Sequence, residues 1–500
     1  MNRRLEIIAI ALAGLAATTG AGVAQTAIEV DVGDLRGEVL SLFGRAGAVA
    51  TETNPNYKGA AAPAPAAPPS PAAADWPSYN KTLNSERFSD LSQINTNNVA
   101  KLKVLCNYDT GRLTAMETGL LMVQGALIGT TEFDIFSIDP ATCAENWRVH
   151  EEYPAYILPT NRGAAYLDGM LFRGTQDGRV LAYDFKTGKR LWETTIADAK
   201  KGEDVPAAPI AWNGLVFIGN AGGDFKGGKG HMYALDAKTG AYKSHIQLVP
   251  KDWHDWDVSN PPALIKTMGG KRLMAVSPKD GHLYGFDLAD NKLLYRTPVT
   301  RIENTEEPFA VDKDVHFCPG ATGGEEWNSP GYDPMTNLIF TGDVDWCTTV
   351  RLQTREEVAA APLGQPWTGE KSLNPFNLFG KFSRADGVWA GWLHAVDADT
   401  GVWKWRLKSN YPIYGAVTPT AGGLVFFGDM GGNFYAIDAA TGRKLWGEKI
   451  GGAIGGGVIT YTANGAQKVA VTTGYVSPAV PTEIRRAKIA ILGVEGAGNQ

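Results

Sequence analysis

One phrase recurs along this chain: an apolar strand, an Asp, two or three residues, Thr-Gly, then a strand ending in an aromatic residue. Its copies, some degenerate, are SIDPATCAENW (137–147), AYDFKTGKRLW (182–192), ALDAKTGAYKS (234–244), GFDLADNKLLY (285–295), AVDADTGVWKW (395–405) and AIDAATGRKLW (436–446). The phrase describes a hairpin. The Asp carboxylate caps the turn, Gly takes the φ > 0 position and the aromatic ring packs between sheets. Several copies follow a strand such as GLVFIGN (214–220) or GLVFFGD (423–429). Units of roughly 40 to 60 residues that each make four short strands predict an all-β fold, a β-propeller. An α/β barrel would need helical periodicity between the strands, and none is present. The 59 Gly, 14 Trp, 17 Tyr and 18 Phe among 500 residues suit many tight turns and aromatic strands. Most repeat Asp and Trp residues are therefore turn caps and wedges. Residues 101–111 and 487–494 are expected to complete one shared blade that closes the ring.

The first residues read as an address. Arg3 and Arg4 precede an apolar run from Ile7 to Ala17, and Gly22-Val23-Ala24 before Gln25 resembles a cleavage site. Residues 1–24 are expected to be a secretory signal peptide, placing the mature protein in a periplasm-like, oxidising compartment. No later stretch is apolar enough over 18 residues to span a bilayer, so no transmembrane segment is expected after cleavage. Residues 25–74, Ala/Pro-rich from Ala60, are expected to be a disordered linker, and residues 75–496 the propeller domain. The net charge of −6 argues against a nucleic-acid partner. Cys106, Cys143, Cys318 and Cys347 allow three disulfide pairings, which spacing alone does not decide. There is no CxxC or CxxCH, hence no thioredoxin-type site and no covalent haem.

Longer stretches carry a resemblance. DWPSYNKTLNSERFSDLSQINTNNVAKLKV (75–104), NRGAAYLDGMLFRGTQDGRVLAYD (161–184), APIAWNGLVFIGNAGGDFKGGKG (208–230), HDWDVS (254–259), SPKDGHLYGFD (277–287), CPGATGGEEWNSPGYDP (318–334) and TPTAGGLVFFGDMGGNFYAIDAATG (418–442) resemble, in order, the pyrroloquinoline quinone (PQQ)-dependent alcohol dehydrogenases. The resemblance implies a PQQ on the propeller axis beside a divalent metal, usually Ca2+. The metal acts as a Lewis acid on the quinone carbonyl, and an aspartate takes the alcohol's proton. It further implies oxidation of a small-molecule alcohol to an aldehyde or ketone, with electrons leaving to a separate cytochrome c.

Residue by residue, Asp257 matches the catalytic aspartate, which also faces the metal. Asp224 matches the acidic metal ligand, one methylene shorter than the usual Glu. Arg162 matches the arginine gripping a PQQ carboxylate, and Lys279 the cation at the quinone oxygens. Glu117, Glu326 and Tyr414 stand where other cofactor contacts occur, Glu326 for a frequent Asn and Tyr414 for a frequent Trp. Ser259 stands where lanthanide-using relatives have an extra carboxylate, which implies the calcium type. Cys318 and Cys347 bracket a segment as a family disulfide does, and Cys106 with Cys143 would then tie neighbouring blades. The adjacent Cys-Cys pair of many relatives is absent before Asn161.

One departure is large. The family has eight blades, and about seven are recognisable here. ALDAKTG (234–240) runs directly into AYKSHIQLVPKDWHDWD (241–257), where relatives carry a further blade with a Trp under the cofactor and an Asn on the metal. The sequence thus predicts a quinoprotein dehydrogenase whose activity this loss impairs. The alternative is a non-catalytic propeller resembling periplasmic scaffolds of outer-membrane protein assembly.

Overall fold

The repeat Asp does what its chemistry requires. Asp184 Oδ1 accepts from the Thr187 amide at 2.9 Å and its hydroxyl at 2.6 Å, and Asp236, Asp397 and Asp438 accept from the corresponding Thr amides. Gly188 follows at φ 70°, a conformation closed to most L-residues. The aromatic residue of one blade then docks on this turn in the next. Trp147 Nε1 donates to the Phe185 carbonyl, Trp192 to that of Ala237 and Trp405 to that of Ala439, at 3.2, 3.0 and 3.0 Å. A Cβ on Gly188 would lie 2.8 Å from the Trp147 ring. Gly is thus required twice over, for its φ and as the floor under the ring.

The computed structural model describes residues 47–59, 75–154, 160–246, 254–256, 258–365, 367–371, 380–384, 389–477, 480 and 482–494. Seven antiparallel blades are present among them. The first comprises Leu121–Val123, Ala126–Thr130, Asp134–Ile138 and Glu145–His150. The second comprises Ala165–Leu167, Met170–Gly174, Arg179–Asp184 and Arg190–Thr195, and the third Ile210–Trp212, Leu215–Gly219, Met232–Asp236 and Tyr242–Ile246. The fourth is Ala263–Lys266, Arg272–Val276, His282–Asp287 and Leu293–Pro298. The fifth is Gly331–Asp333, Leu338–Val344, Gly391–Asp397 and Trp403–Ser409, and the sixth Thr418–Thr420, Leu424–Gly428, Asn433–Asp438 and Lys444–Lys449. The seventh joins Val458–Ala463, Ala466–Thr473 and Lys488–Gly493 to Lys103–Asp109 from the start of the domain, as expected.

Six of the seven seams between blades are filled by buried apolar clusters. Among the described residues no such cluster lies between the third and fourth blades. There the third blade leaves Ile210, Trp212 and Met232 exposed at 43, 54 and 39 %, and the fourth leaves Leu293 at 44 %. Both halves of the clasp are missing at this seam. Ser244 faces Ala234 where Trp192 faces Ala182 in the preceding blade, and Asn291 holds the φ > 0 position that Gly holds elsewhere. The sequence junction inside ALDAKTGAYKS therefore coincides with the open seam.

Two further segments hold the ring. The strap after Asp75 bonds in turn to Met122, Leu264, Tyr332, Pro419 and Gln467, so it touches the first, fourth, fifth, sixth and seventh blades. A three-stranded sheet of Val315–Phe317, Trp346–Val350 and Lys381–Arg384, with a helix at Arg355–Ala360, is inserted largely within the fifth blade. It reaches the third blade, where the Trp367 amide donates to the Asp224 carbonyl at 2.6 Å and Lys226 Nζ donates to the Ala359 and Ala361 carbonyls at 2.7 Å.

The expected linker needs correcting over residues 47–59. Val49–Thr53 adds a fifth strand beside Trp403–Ser409, and Glu52 pairs with Arg406 and Lys408 at 2.9 Å. Val and Thr suit a pleated edge, and the outer strand of the fifth blade offers unpaired backbone groups. The signal peptide and the remainder of the linker lie outside the described residues. Both disulfides are formed, Cys106–Cys143 and Cys318–Cys347. Among the described residues no helix is long and apolar enough to cross a membrane.

Candidate functional site

Loops entering the first strand of a blade and loops joining its second and third strands emerge at the same end of a propeller. Glu117, Arg162, Glu326 and Tyr414 lie on loops of the first kind, and Asp224 and Lys279 on loops of the second. All six therefore share one face. Backbone bonds stitch these loops into a collar: Gly119 N to Arg162 O at 2.8 Å, Arg162 N to Pro206 O at 2.8 Å, and Ala221 N to Asp204 O at 2.9 Å.

Arg162 is the hub. Its Nε donates to Glu117 Oε2 at 2.9 Å, and its guanidinium lies 5.1 Å over the ring of Trp327. Trp327 donates to the Gly455 carbonyl at 2.8 Å and packs against Tyr414 and Tyr475 with centroids 5.4 and 6.0 Å apart. Burial pushes the Glu117 carboxyl above its ordinary range even with Arg162 beside it. Burial works against the Arg162 charge, but Glu117, Tyr79 and Glu326 hold it above its ordinary value. Burial also raises the Tyr414 hydroxyl, with the Glu326 charge adding to the rise and Lys279 opposing it, so these three groups share one field. The Glu326 backbone is anchored by Asn260 Nδ2 at 2.9 Å.

Lys279, 9 % exposed, donates to Asp255 Oδ2 at 2.7 Å. Asp255 sits at φ 64°, and the rings of His254 and Trp256 on either side of it stack at 4.0 Å. Asp257 lies outside the described residues. Asp224 is on the loop clipped by Trp367. Behind it stands Asp204, 2 % exposed, with Oδ1 lacking any hydrogen-bond partner. Burial pushes the Asp204 carboxyl up to about 7 against the pull of Arg162, and the Asp224 charge adds to the rise. Among the described residues, one group of three metal-type side chains converges within 4.8 Å: His316, Cys318 and Cys347, whose cysteines are already joined.

The sequence model described as "Glucose/ethanol/alcohol dehydrogenase, beta-propeller domain" matches residues 76–191 and 173–308. That of "Outer membrane protein assembly factor BamB" matches residues 390–477. The dehydrogenase subunit of the quinone alcohol dehydrogenase of Gluconobacter oxydans is 28% identical over 453 residues, 85% of this chain. The lanthanide-dependent methanol dehydrogenase of Methylacidiphilum fumariolicum is 23% identical over 527 residues, 80% of this chain and 84% of that protein.

Over most of its length this chain is similar to the PQQ-dependent alcohol dehydrogenase family. A europium-containing methanol dehydrogenase shares the family propeller with TM-score 0.74 at 21% identity, over 84% of this chain and 98% of that one. The quinohemoprotein alcohol dehydrogenase of Comamonas testosteroni does so with TM-score 0.71 at 20% identity, over 85% and 81%. The chain spans 50% of the length of the Gluconobacter relative.

The donor set of this chain suits an anionic aromatic ligand beside a hard cation. Arg162 and Lys279 are cations from different blades, Trp327 and Tyr414 are buried rings, Trp327 beneath the Arg162 guanidinium, and Asp204 is a buried carboxylate with an unsatisfied oxygen. The motifs pointed to Arg162, Lys279, Glu117, Glu326 and Tyr414, and the fold brings these onto one face. They did not point to Asp204, Asp255, Trp327 or Tyr475. The signal available for Asp204 was an acidic residue in the loop before a first strand, the position that Glu117 and Arg162 share.

Proposed function

We propose that this chain is a periplasmic quinoprotein dehydrogenase that oxidises an alcohol to an aldehyde or ketone with PQQ and Ca2+, passing electrons to a separate cytochrome c. The observation that carries the reading is the placement of Arg162 and Lys279 on one face with Trp327 under the Arg162 guanidinium. A planar polycarboxylate quinone needs cations at its edge and a ring at its face. PQQ, when bound, supplies the two-electron acceptor.

The residues divide the remaining work. Arg162 grips a carboxylate of the ligand, and Glu117 fixes the direction of the guanidinium. Lys279, held by Asp255, places its ammonium at the quinone oxygens. Trp327 and Tyr414 provide an aromatic floor from the fifth- and sixth-blade loops, so the floor does not depend on a blade between the third and fourth. Asp224 binds the metal, and Asp257 takes the proton from the alcohol hydroxyl oxygen as general base.

The test is reconstitution of the purified chain with PQQ and Ca2+, followed by alcohol-dependent reduction of an artificial dye over a broad alcohol panel. Turnover supports the dehydrogenase. Absence of stoichiometric PQQ binding in equilibrium dialysis would instead favour the scaffold reading, to which the match over residues 390–477 lends its one specific support.

A further inference from the structure

We propose that Asp204 is a metal ligand, standing in on the third blade's entry loop for the neutral ligand that the missing sector would otherwise carry. The proposal rests on the reading of this face as a cofactor and metal site. Asp204 is 2 % exposed and its Oδ1 has no hydrogen-bond partner. Buried polar atoms in native proteins are overwhelmingly paired, so an unsatisfied carboxylate oxygen here points to a ligand.

Its position is fixed from three directions. The Asp204 backbone forms a bridge with Ala221, three residues before Asp224, through bonds of 3.4 and 2.9 Å. The Val205 amide donates to the Thr175 carbonyl at 3.0 Å, and the Pro206 carbonyl accepts from the Arg162 amide at 2.8 Å. The preceding residue shows the contrast. Both Glu203 oxygens are used, accepting from the Asp198 amide of its own loop at 2.9 Å and from the Lys229 amide of the Asp224 loop at 3.1 Å. Of two consecutive carboxylates, one ties the two loops together and the other keeps an unpaired Oδ1 in the field of Asp224 and Arg162. That surplus suits Ca2+, which takes six to eight oxygen ligands and accepts carboxylates in flexible geometry. A carboxylate in place of an amide also adds one negative charge, which favours a more highly charged cation.

Ca2+ is titrated into the purified chain by calorimetry, and Tb3+ by luminescence sensitised through tryptophan, for the unchanged protein, Asp204→Asn and Asp224→Asn. Thermal melts without metal confirm that each variant folds. Asp204→Asn is expected to weaken Ca2+ and Tb3+ binding by about tenfold or more, with a greater proportional loss for Tb3+. Ca2+ affinity unchanged in Asp204→Asn but lost in Asp224→Asn would overturn the assignment. So would a failure of the unchanged protein to bind either cation, with or without PQQ. PQQ binding, followed by fluorescence quenching, separates this inference from the one beneath it. Ca2+ bound through Asp204 without PQQ binding upholds the ligand and sinks the dehydrogenase, whereas PQQ binding with an indifferent Asp204 does the reverse.

Discussion

Cys143 occupies the turn position at which Gly188 sits one blade later, and its disulfide partner Cys106 occupies the strand position at which Trp192 sits. Cys143 has φ 64°, close to the 70° of Gly188, and Cys106 faces Ile491 just after a bulge, as Trp192 faces Ala182. A covalent bond thus replaces the Trp-on-Gly clasp at the seam where the first and seventh blades close the ring. The Cys106→Ala/Cys143→Ala double variant is expected to lose about 3–4 kcal/mol from its 37-residue loop. Urea denaturation of the two proteins checks this. A loss below about 1 kcal/mol would mean that apolar packing closes the ring unaided.

The third and fourth blades meet without a clasp, so the same residue type should matter differently at two seams. Trp405 is 1 % exposed and clasps the sixth blade, while Trp212 is 54 % exposed beside the open seam. Trp405→Ala should cost about 3–5 kcal/mol, and Trp212→Ala within about 0.5 kcal/mol of nothing. Equal costs would show that the seam is filled in solution.

Arg162 and Glu117 form a coupled pair at the centre of the site. Arg162→Lys keeps the charge but loses the planar fork, so PQQ affinity should fall about tenfold or more, read by fluorescence quenching. Arg162→Ala leaves the Glu117 carboxylate buried without its counter-charge and should destabilise by about 3–5 kcal/mol. Adding Glu117→Gln should return most of that stability in denaturation experiments without returning PQQ binding.

Glu132 gives the fold a pH dependence. Burial pushes its carboxyl from 4.5 to about 7, with the Thr114 hydroxyl opposing the rise. The folded protein therefore holds a proton that the unfolded chain releases. Its contribution is fully present below pH 4.5 and is lost as pH rises through 7. The span amounts to on the order of 3 kcal/mol. Melting temperatures between pH 4.5 and 8 should fall less steeply in Glu132→Gln than in the unchanged protein. Some slope should persist, because Asp204 titrates with the same sign. Parallel curves would remove Glu132 from the effect.

Much of this protein is legible in its sequence. Asp-x-x-Thr-Gly is a local motif whose capping and φ > 0 requirements act within five residues, so the repeats announced the hairpins, and their spacing the blades. The site cations were legible for a different reason: Arg162 and Lys279 sit in motifs long enough to align with a family. Asp204 and Trp327 were not, because their significance is one of proximity. Asp204 matters because Ala221 and Arg162 close around it, and Trp327 because the Arg162 guanidinium lies over its ring. Residues far apart in sequence create both environments.

The sequence by itself determined the four-stranded blades, the ring closure by both chain ends, and the place where a repeat was skipped. These follow from short-range hydrogen bonding and hydrophobic alternation, which each segment carries within itself. Only the tertiary structure decided that Val49–Thr53 joins the fifth blade and that the third and fourth blades meet without a clasp. It also decided which of two adjacent carboxylates, Glu203 or Asp204, is left unsatisfied in the interior. Those outcomes depend on which backbone edges and polar atoms remain unpaired once every other segment is placed, and no segment encodes that alone.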